Sequence, residues 1–204
     1  MFFYANEVYE NRDFGSMDAR EGEWTNCEFT RCRFRGVEMN ESLMEGCTFV
    51  DCDFTGAILN ASHYKESAFT NCLFTNANLF VARFDNCKLV GSDFAGANMD
   101  GLTITGGDWS YTNLRHADLR KQDLRKIRFK EADLSECNLE KADLREADLT
   151  HARLQKAHLQ GTDLRGAKMD GVNFKDLNIT GAKLDIQQAV AVARSYGAKV
   201  EGFS

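Results

Sequence analysis

The chain has 204 residues, 43% of them hydrophobic and 27% charged, which predicts one folded domain or two small ones and excludes a disordered chain. No apolar run reaches the ~18 residues of a membrane-spanning helix, and the start, Met1-Phe2-Phe3-Tyr4-Ala5-Asn6-Glu7, has neither the basic nor the apolar stretch of a secretory leader, so the expected location is cytoplasmic. A net charge of −6, from 31 acidic and 25 basic residues, argues against nucleic acid as a direct ligand.

Residues 1–13 precede a regular pattern and are expected to form an N-terminal cap segment. From Phe14 the chain repeats with a period of five. Phe14, Ala19, Trp24, Phe29 and Phe34 begin a series that runs without a slip through Ile179 to Leu184, and all 35 of its positions are apolar. A second register lies two residues earlier. From Gly22 to Ala182 it has 33 positions, and 29 of them carry Ala, Cys, Ser, Thr, Val or Gly; Leu102, Gln122, Ile127 and Leu177 are the exceptions.

A helix needs apolar spacing near 3.6 and a flat strand needs 2, so a period of five fits neither. It fits a short extended segment followed by a corner, with the large residue and the small one two before it pointing to the same side. Four such sides close a coil of 20 residues. Phe14, Phe34, Phe54, Phe74 and Phe94 are 20 apart and form one ladder, and Phe29, Phe49 and Phe69 another. Stacked at about 4.8 Å per layer, residues 14–184 make between eight and nine coils and a rod roughly 40 Å long. There is no proline, so every backbone N–H can donate to such a ladder.

Candidate chemistry is sparse. Cys27, Cys32, Cys47, Cys52, Cys72, Cys87 and Cys137 all fall in the small-residue register, so they read as core residues, and their packing points to a reducing compartment. His63, His116, His151 and His158 occupy exposed registers with no shared spacing. Nothing suggests a catalytic constellation, a cofactor or a metal, and an enzyme is not expected. Gly106-Gly107 reads as a local bulge or relaxed turn. Arg115 to Lys130 reads as a solvated basic flank or as a contact for an acidic partner.

The acids are distributed unevenly. Residues 1–105 carry 16 acidic and 8 basic side chains, a net −8, whereas residues 106–204 carry 15 and 17, a net +2. Asp18, Glu21, Glu38 and Glu41 cluster near one tip. Asp13, Asp53, Asp93 and Asp133 form a column with one gap between successive members. These eight are the candidate partner-binding surface.

The five-residue phase ends at Leu184. Asp185 reads as a helix N-cap, followed by Ile186, Ala189, Val190 and Ala193 at helical spacing, with Gly197 as a stop and Ala198-Lys199-Val200 as a short extended run. Residues 185–204 therefore read as a capping helix and tail. Leu184, Ile186, Ala189, Val190, Ala193 and Val200 are the candidate dimer contacts.

Units such as Ala142-Asp143-Leu144-Arg145-Glu146 resemble the pentapeptide-repeat family. The resemblance covers about residues 14–184. It implies an all-β solenoid, a right-handed quadrilateral β-helix of pentapeptide repeats with a short C-terminal α-helix. It also associates Phe-centred and Leu-centred units with different corners, so the section is expected to change near residues 110–114. The segment Lys183 to Gly197 narrows the resemblance to the MfpA/Qnr branch of fluoroquinolone-resistance proteins. That branch implies a homodimer joined through the C-terminal segment, a rod that imitates DNA, and DNA gyrase or topoisomerase IV as the protein partner. Many Qnr members carry projecting loops; the unbroken phase here predicts none. The alternative is a structural or scaffolding repeat protein, with Phe80 and Val81 as an apolar contact.

Overall fold

The structure is a computed structural model and describes residues 3–175 and 177–202. It holds ten strands of three residues: β1 (Phe3–Ala5), β2 (Val8–Glu10), β3 (Glu23–Thr25), β4 (Glu28–Thr30), β5 (Leu43–Glu45), β6 (Thr48–Val50), β7 (His63–Lys65), β8 (Ala68–Thr70), β9 (Arg83–Asp85) and β10 (Thr103–Thr105). One helix follows, α1 (Ile186–Ser195). The strands form a six-stranded sheet in the order β1-β3-β5-β7-β9-β10 and a four-stranded sheet in the order β2-β4-β6-β8. Every pairing is parallel, and each joins residues 20 apart, as in Trp24 with Met44 and Phe29 with Phe49.

The result is a parallel β-solenoid with four sides. Side one carries Trp24, Met44, Tyr64 and Phe84 inward; side two carries Phe29, Phe49 and Phe69; side three carries Phe34, Phe54, Phe74 and Phe94; side four carries Met39, Leu59, Leu79 and Met99. Sides three and four are held by single parallel bridges with the same step, such as Arg33 with Asp53 and Glu38 with Ile58. The constant step leaves no projecting loop among the described residues.

The sequence dictates each corner. At Phe54 the carbonyl accepts the N–H of Ala57 at 3.0 Å, closing a tight turn. Asp53 locks the same turn, because its Oδ1 accepts the N–H of Thr55 at 2.9 Å. The third residue of the corner takes a left-handed conformation, which suits Asn26 (φ 52°) and Asn71 (φ 53°).

The interior is filled by the two inward registers. Phe rings 20 apart stack nearly parallel, with centroids 4.7 Å apart for Phe34–Phe54 and 4.6 Å for Phe29–Phe49. Such pairs add about 0.5–1.5 kcal/mol each beyond their buried area. After Phe94 and Trp109 the core is mostly Leu and Ala, with Phe129 and Phe174 as the buried aromatics.

Three expectations are corrected here. Residues 3–13 do not stand apart as a cap: β1 and β2 pair with β3 and β4 in the common register, because Tyr4 and Tyr9 already occupy the five-residue phase. The section changes earlier than residues 110–114, since the last three-residue strand ends at Thr105. Ala198-Lys199-Val200 forms no strand, having no ladder partner beyond the helix.

The C-terminal edge of the solenoid is closed by side chains. Asp185 accepts the N–H of Gln188 at 3.1 Å, and Gln188 Oε1 accepts the N–H of Asp185 at 3.2 Å, a reciprocal cap on α1. Asp185 also accepts the N–H of Gly166 at 2.7 Å. The buried Gln188 amide donates to the carbonyls of Leu164 and Ala167. Backbone groups that a further layer would have bonded are thereby satisfied.

Candidate partner-binding surface

The tip acids occupy two kinds of position. Asp18 and Glu38 are bridged neighbours on side four. Glu21 and Glu41 stand at the next corner, both exposed and both left-handed (φ 54° and 60°). The units Met17–Glu21 and Val37–Glu41, one coil apart, thus each turn one acid outward from a flat side and one from an edge. Arg20 partly neutralises the group, lying 2.6 Å from Asp18 and 3.6 Å from Glu38. Its hydrogen bonds hold the Asp18 carboxyl down to about 2. Glu21 and Glu41 make no ion pair among the described residues. Glu23 flanks the same corner, and Glu45 pairs with Lys65 at 2.6 Å.

The column of Asp13, Asp53, Asp93 and Asp133 is one continuous ladder on side three, with Arg33, Leu73 and Asn113 in its gaps. Each of its carboxylates is engaged in its own turn. Asp13, Asp53, Asp93 and Asp133 accept the N–H of Gly15, Thr55, Ala95 and Ser135 respectively, at 2.9–3.0 Å. Asp53 also lies 3.3 Å from Arg35, and Asp133 4.0 Å from Arg153. Their first task is to shape corners, and they present less free charge than the tip.

The C-terminal half uses its acids differently. In Asp123-Leu124-Arg125, Asp143-Leu144-Arg145 and Asp163-Leu164-Arg165, each Arg folds back on the Asp two residues earlier at 2.6 Å. The three units stack on side one, and Arg125 and Arg145 reach toward the next Asp at 3.9 and 4.0 Å. Hydrogen bonds from Arg165 hold the Asp163 carboxyl down to about 2. Sequence reasoning missed this ladder, although the Asp-x-Arg spacing was visible. The basic stretch from Arg115 to Lys130 is likewise largely compensated: Arg115 pairs with Glu136 at 2.9 Å, Arg128 with Asp108 at 3.1 Å and Lys126 with Glu146 at 3.8 Å.

His63 is a correction. It is half-buried rather than exposed, and the Asp85 carboxylate accepts its Nε2–H at 2.7 Å across one layer. The seven cysteines are free and buried. Burial pushes the thiols of Cys47, Cys87 and Cys137 up to about 12. Among the described residues no group of three or more His, Cys, Asp or Glu is placed to hold a metal, and no helix is long and apolar enough to cross a membrane.

At the other end, α1 turns Gln188, Ala191 and Val192 toward the solenoid. Ile186 is 65% exposed, Ala189 is exposed, and Val190 and Ala193 are half-buried, so these four leave an apolar strip on the helix. Leu184 packs against the core instead, and Val200 is half-buried beyond the helix. Phe80 and Val81 project from a corner, each nearly half exposed.

The family profile described as Pentapeptide repeats, in eight copies, matches residues 77–108, 112–150 and 147–185. A second, described as a Pentapeptide repeat region, matches residues 22–84. Among solved structures, trypsin-treated QnrB1, described as a plasmid-mediated fluoroquinolone resistance protein, superposes with a TM-score of 0.84 at 22% identity, covering 98% of this chain and 100% of that one. Full-length QnrB1 superposes with a TM-score of 0.82 at 22% identity, covering 96% and 100%. Among curated proteins no sequence matches.

Proposed function

We propose, from the premise that this chain belongs to the pentapeptide-repeat family, that it is a DNA-mimicking binding protein for a type II topoisomerase. Its partner would be DNA gyrase or topoisomerase IV, which it would inhibit, protect from quinolones, or both. The observation that carries this reading is the acidic tip on an uninterrupted rod. Duplex DNA presents one charge per about 1.7 Å of axis. The tip presents Asp18, Glu21 and Glu23 in one layer and Glu38, Glu41 and Glu45 in the next, layers about 4.8 Å apart. Such a surface complements a basic DNA-binding groove and favours fast, salt-sensitive association. The likeness in fold to QnrB1 over nearly the whole chain supports the same reading.

Two further elements belong to the proposal. The apolar strip of Ile186, Ala189, Val190 and Ala193 would join two copies as a homodimer, placing acidic tips at both ends of a longer rod. The protein would act in the cytoplasm and would use neither a cofactor nor a catalytic step.

The competing reading is a structural or scaffolding repeat protein with another protein partner. It is favoured by one observation, the neutralised Asp–Arg ladder that makes the C-terminal half unlike DNA. Supercoiling by purified gyrase, titrated with this protein with and without ciprofloxacin, separates the two. Inhibition without drug or rescue with drug is expected. No effect in either arm at large excess would leave the scaffold reading.

A further inference from the structure

Near the C-terminal end, among the described residues, the single rung Arg153–Asn173 is missing. One interface in the middle of the rod is open on two adjacent sides. Above it the rung Asn78–Asn98 is formed, and below it the rung Asp118–Asn138. Between them, among the described residues, no rung joins Asn98 to Asp118 on side four, and none joins Thr103 to Asp123 on side one. The same interface is closed at both flanks, by Asp93–Asn113 on side three and Asp108–Arg128 on side two. The rod is therefore split along one edge and joined along the opposite one.

The cause lies in the small-residue register. Leu102, Gln122 and Ile127 are three of its four oversized members, and all three border this interface. Leu102 and Ile127 are buried. Leu102 and Gln122 stack on one another directly at the missing rungs, and their extra volume holds the layers apart there, whereas Ile127 faces Gly107 at the closed rung beside it.

Gln122 occupies the gap. Its Oε1 accepts the N–H of Ile104 at 3.0 Å, and its Nε2 donates to the carbonyl of Leu102 at 2.7 Å. One coil further on, the equivalent groups bond backbone to backbone: Leu124 N–H donates to Asp143 O, and Asp143 N–H to Gln122 O, both at 2.9 Å. A side-chain amide thus replaces the two hydrogen bonds of one rung, Thr103–Asp123. Among the described residues, the N–H groups of Met99, Gly101 and Asp118 have no backbone acceptor, whereas their counterparts Leu119, Lys121 and Asn138 do, at 2.8–3.0 Å.

We propose that this interface is a hinge and that Gln122 is its latch. The two arms tilt about the intact rungs of sides two and three, and the edge between sides four and one opens and closes. Few backbone bonds oppose the motion, the condition under which a segment moves independently of its surroundings. The acidic tip lies on one arm and α1 on the other, so the tilt sets the angle between them. This inference does not depend on the identity of the partner.

The test is the distance between nitroxide labels on the full chain. Asn98→Cys with Asp118→Cys spans the split, and Asn78→Cys with Asn98→Cys spans a closed rung on the same side. The native cysteines are buried, so labels report the introduced sites. The split pair is expected to give a longer and broader distribution than the closed pair. Gln122→Glu, whose carboxylate cannot donate to Leu102, should lengthen it further. Gln122→Ala restores a small residue, lets Asp123 reach Leu102 and Ile104, and should narrow it to the closed-pair value. Equally narrow distributions for both pairs, unchanged by Gln122→Ala, would overturn the hinge. The alanine variant decides the matter if the glutamate variant does not fold.

Discussion

A Cβ placed on Gly107 would lie 2.0 Å from the carbonyl oxygen of Cys87. Gly107 also has a φ of 94°, which side chains rarely adopt. The Cys, Ala and Ser members of the small-residue register carry a Cβ without any positive φ, so both facts are particular to Gly107, two positions before the buried Trp109. Gly107→Ala must displace the backbone of the preceding layer and is expected to cost about 3 kcal/mol or more. Gly56, also left-handed but with nothing within 4 Å of a Cβ, is the control. Gly56→Ala should cost about 1 kcal/mol. Thermal melts of the two variants give the comparison, and equal losses would contradict the packing argument.

Val81 is a corner residue with a φ of 50° and an exposed side chain. A β-branched residue is poorly suited to that conformation, whereas Asn tolerates it and occupies the equivalent corners at Asn71, Asn76 and Asn86. Val81→Asn should therefore stabilise the protein by about 1 kcal/mol, read as a rise in Tm. It also removes half of the Phe80–Val81 patch. Unchanged partner binding in this variant would count against that patch as the contact.

Acid should act most on the Asp–Arg ladder. Hydrogen bonds from the Arg two residues on hold Asp123, Asp143 and Asp163 below the usual carboxylate range, Asp163 at about 2. A carboxylate depressed in the folded state contributes stability that is complete above its unfolded value, about 3.9, and that is lost as pH falls through the folded value. Tm should hold from pH 7 to about 4 and then fall between about pH 4 and pH 2. In Arg145→Gln with Arg165→Gln the fall should be shallower, because less of the shift remains to be lost. A Tm independent of pH in that window would show that these exposed pairs contribute nothing.

The two groups of candidate acids should respond differently to mutation. Glu21→Lys with Glu41→Lys reverses free charge at an edge and should weaken binding to a basic partner at least tenfold, by about 1.4 kcal/mol or more. Asp53→Asn with Asp93→Asn keeps an oxygen to accept the turn N–H and removes only charge, so the loss should be smaller and the fold intact. Titrations at two salt concentrations would check both. A larger loss in the Asp53→Asn, Asp93→Asn variant would mean that the side-three column, not the tip, faces the partner.

Much of this architecture is readable in the sequence because the repeat is short and its two inward registers are nearly invariant in size. The position of every ring in the Phe34 and Phe29 ladders follows from counting by 20. The helix cap at Asp185 is legible for the same reason, since it begins where the phase stops. What is not legible is what the outward residues do. Asp53 and Glu41 are both outward acids, one just before the large residue and one two after it, yet one closes a turn and the other stands free, because a carboxylate on a flat side reaches its own backbone and one at a corner does not. The split is hidden differently: Leu102 and Gln122 are visible as wrong-sized residues, but only the structure shows that the excess volume is released between layers.

Because every rung joins residues 20 apart, the chain carries its own angular scale. Adding twenty residues at a corner would lengthen the rod by one storey and leave every later side facing as before. Adding five would turn everything beyond it by a quarter revolution, moving the α1 strip to a different bearing from the acidic edge. The relative orientation of the two ends is therefore counted out in residues, and evolution could reset it in four discrete positions while changing only the pairs of the coil that receives the insertion.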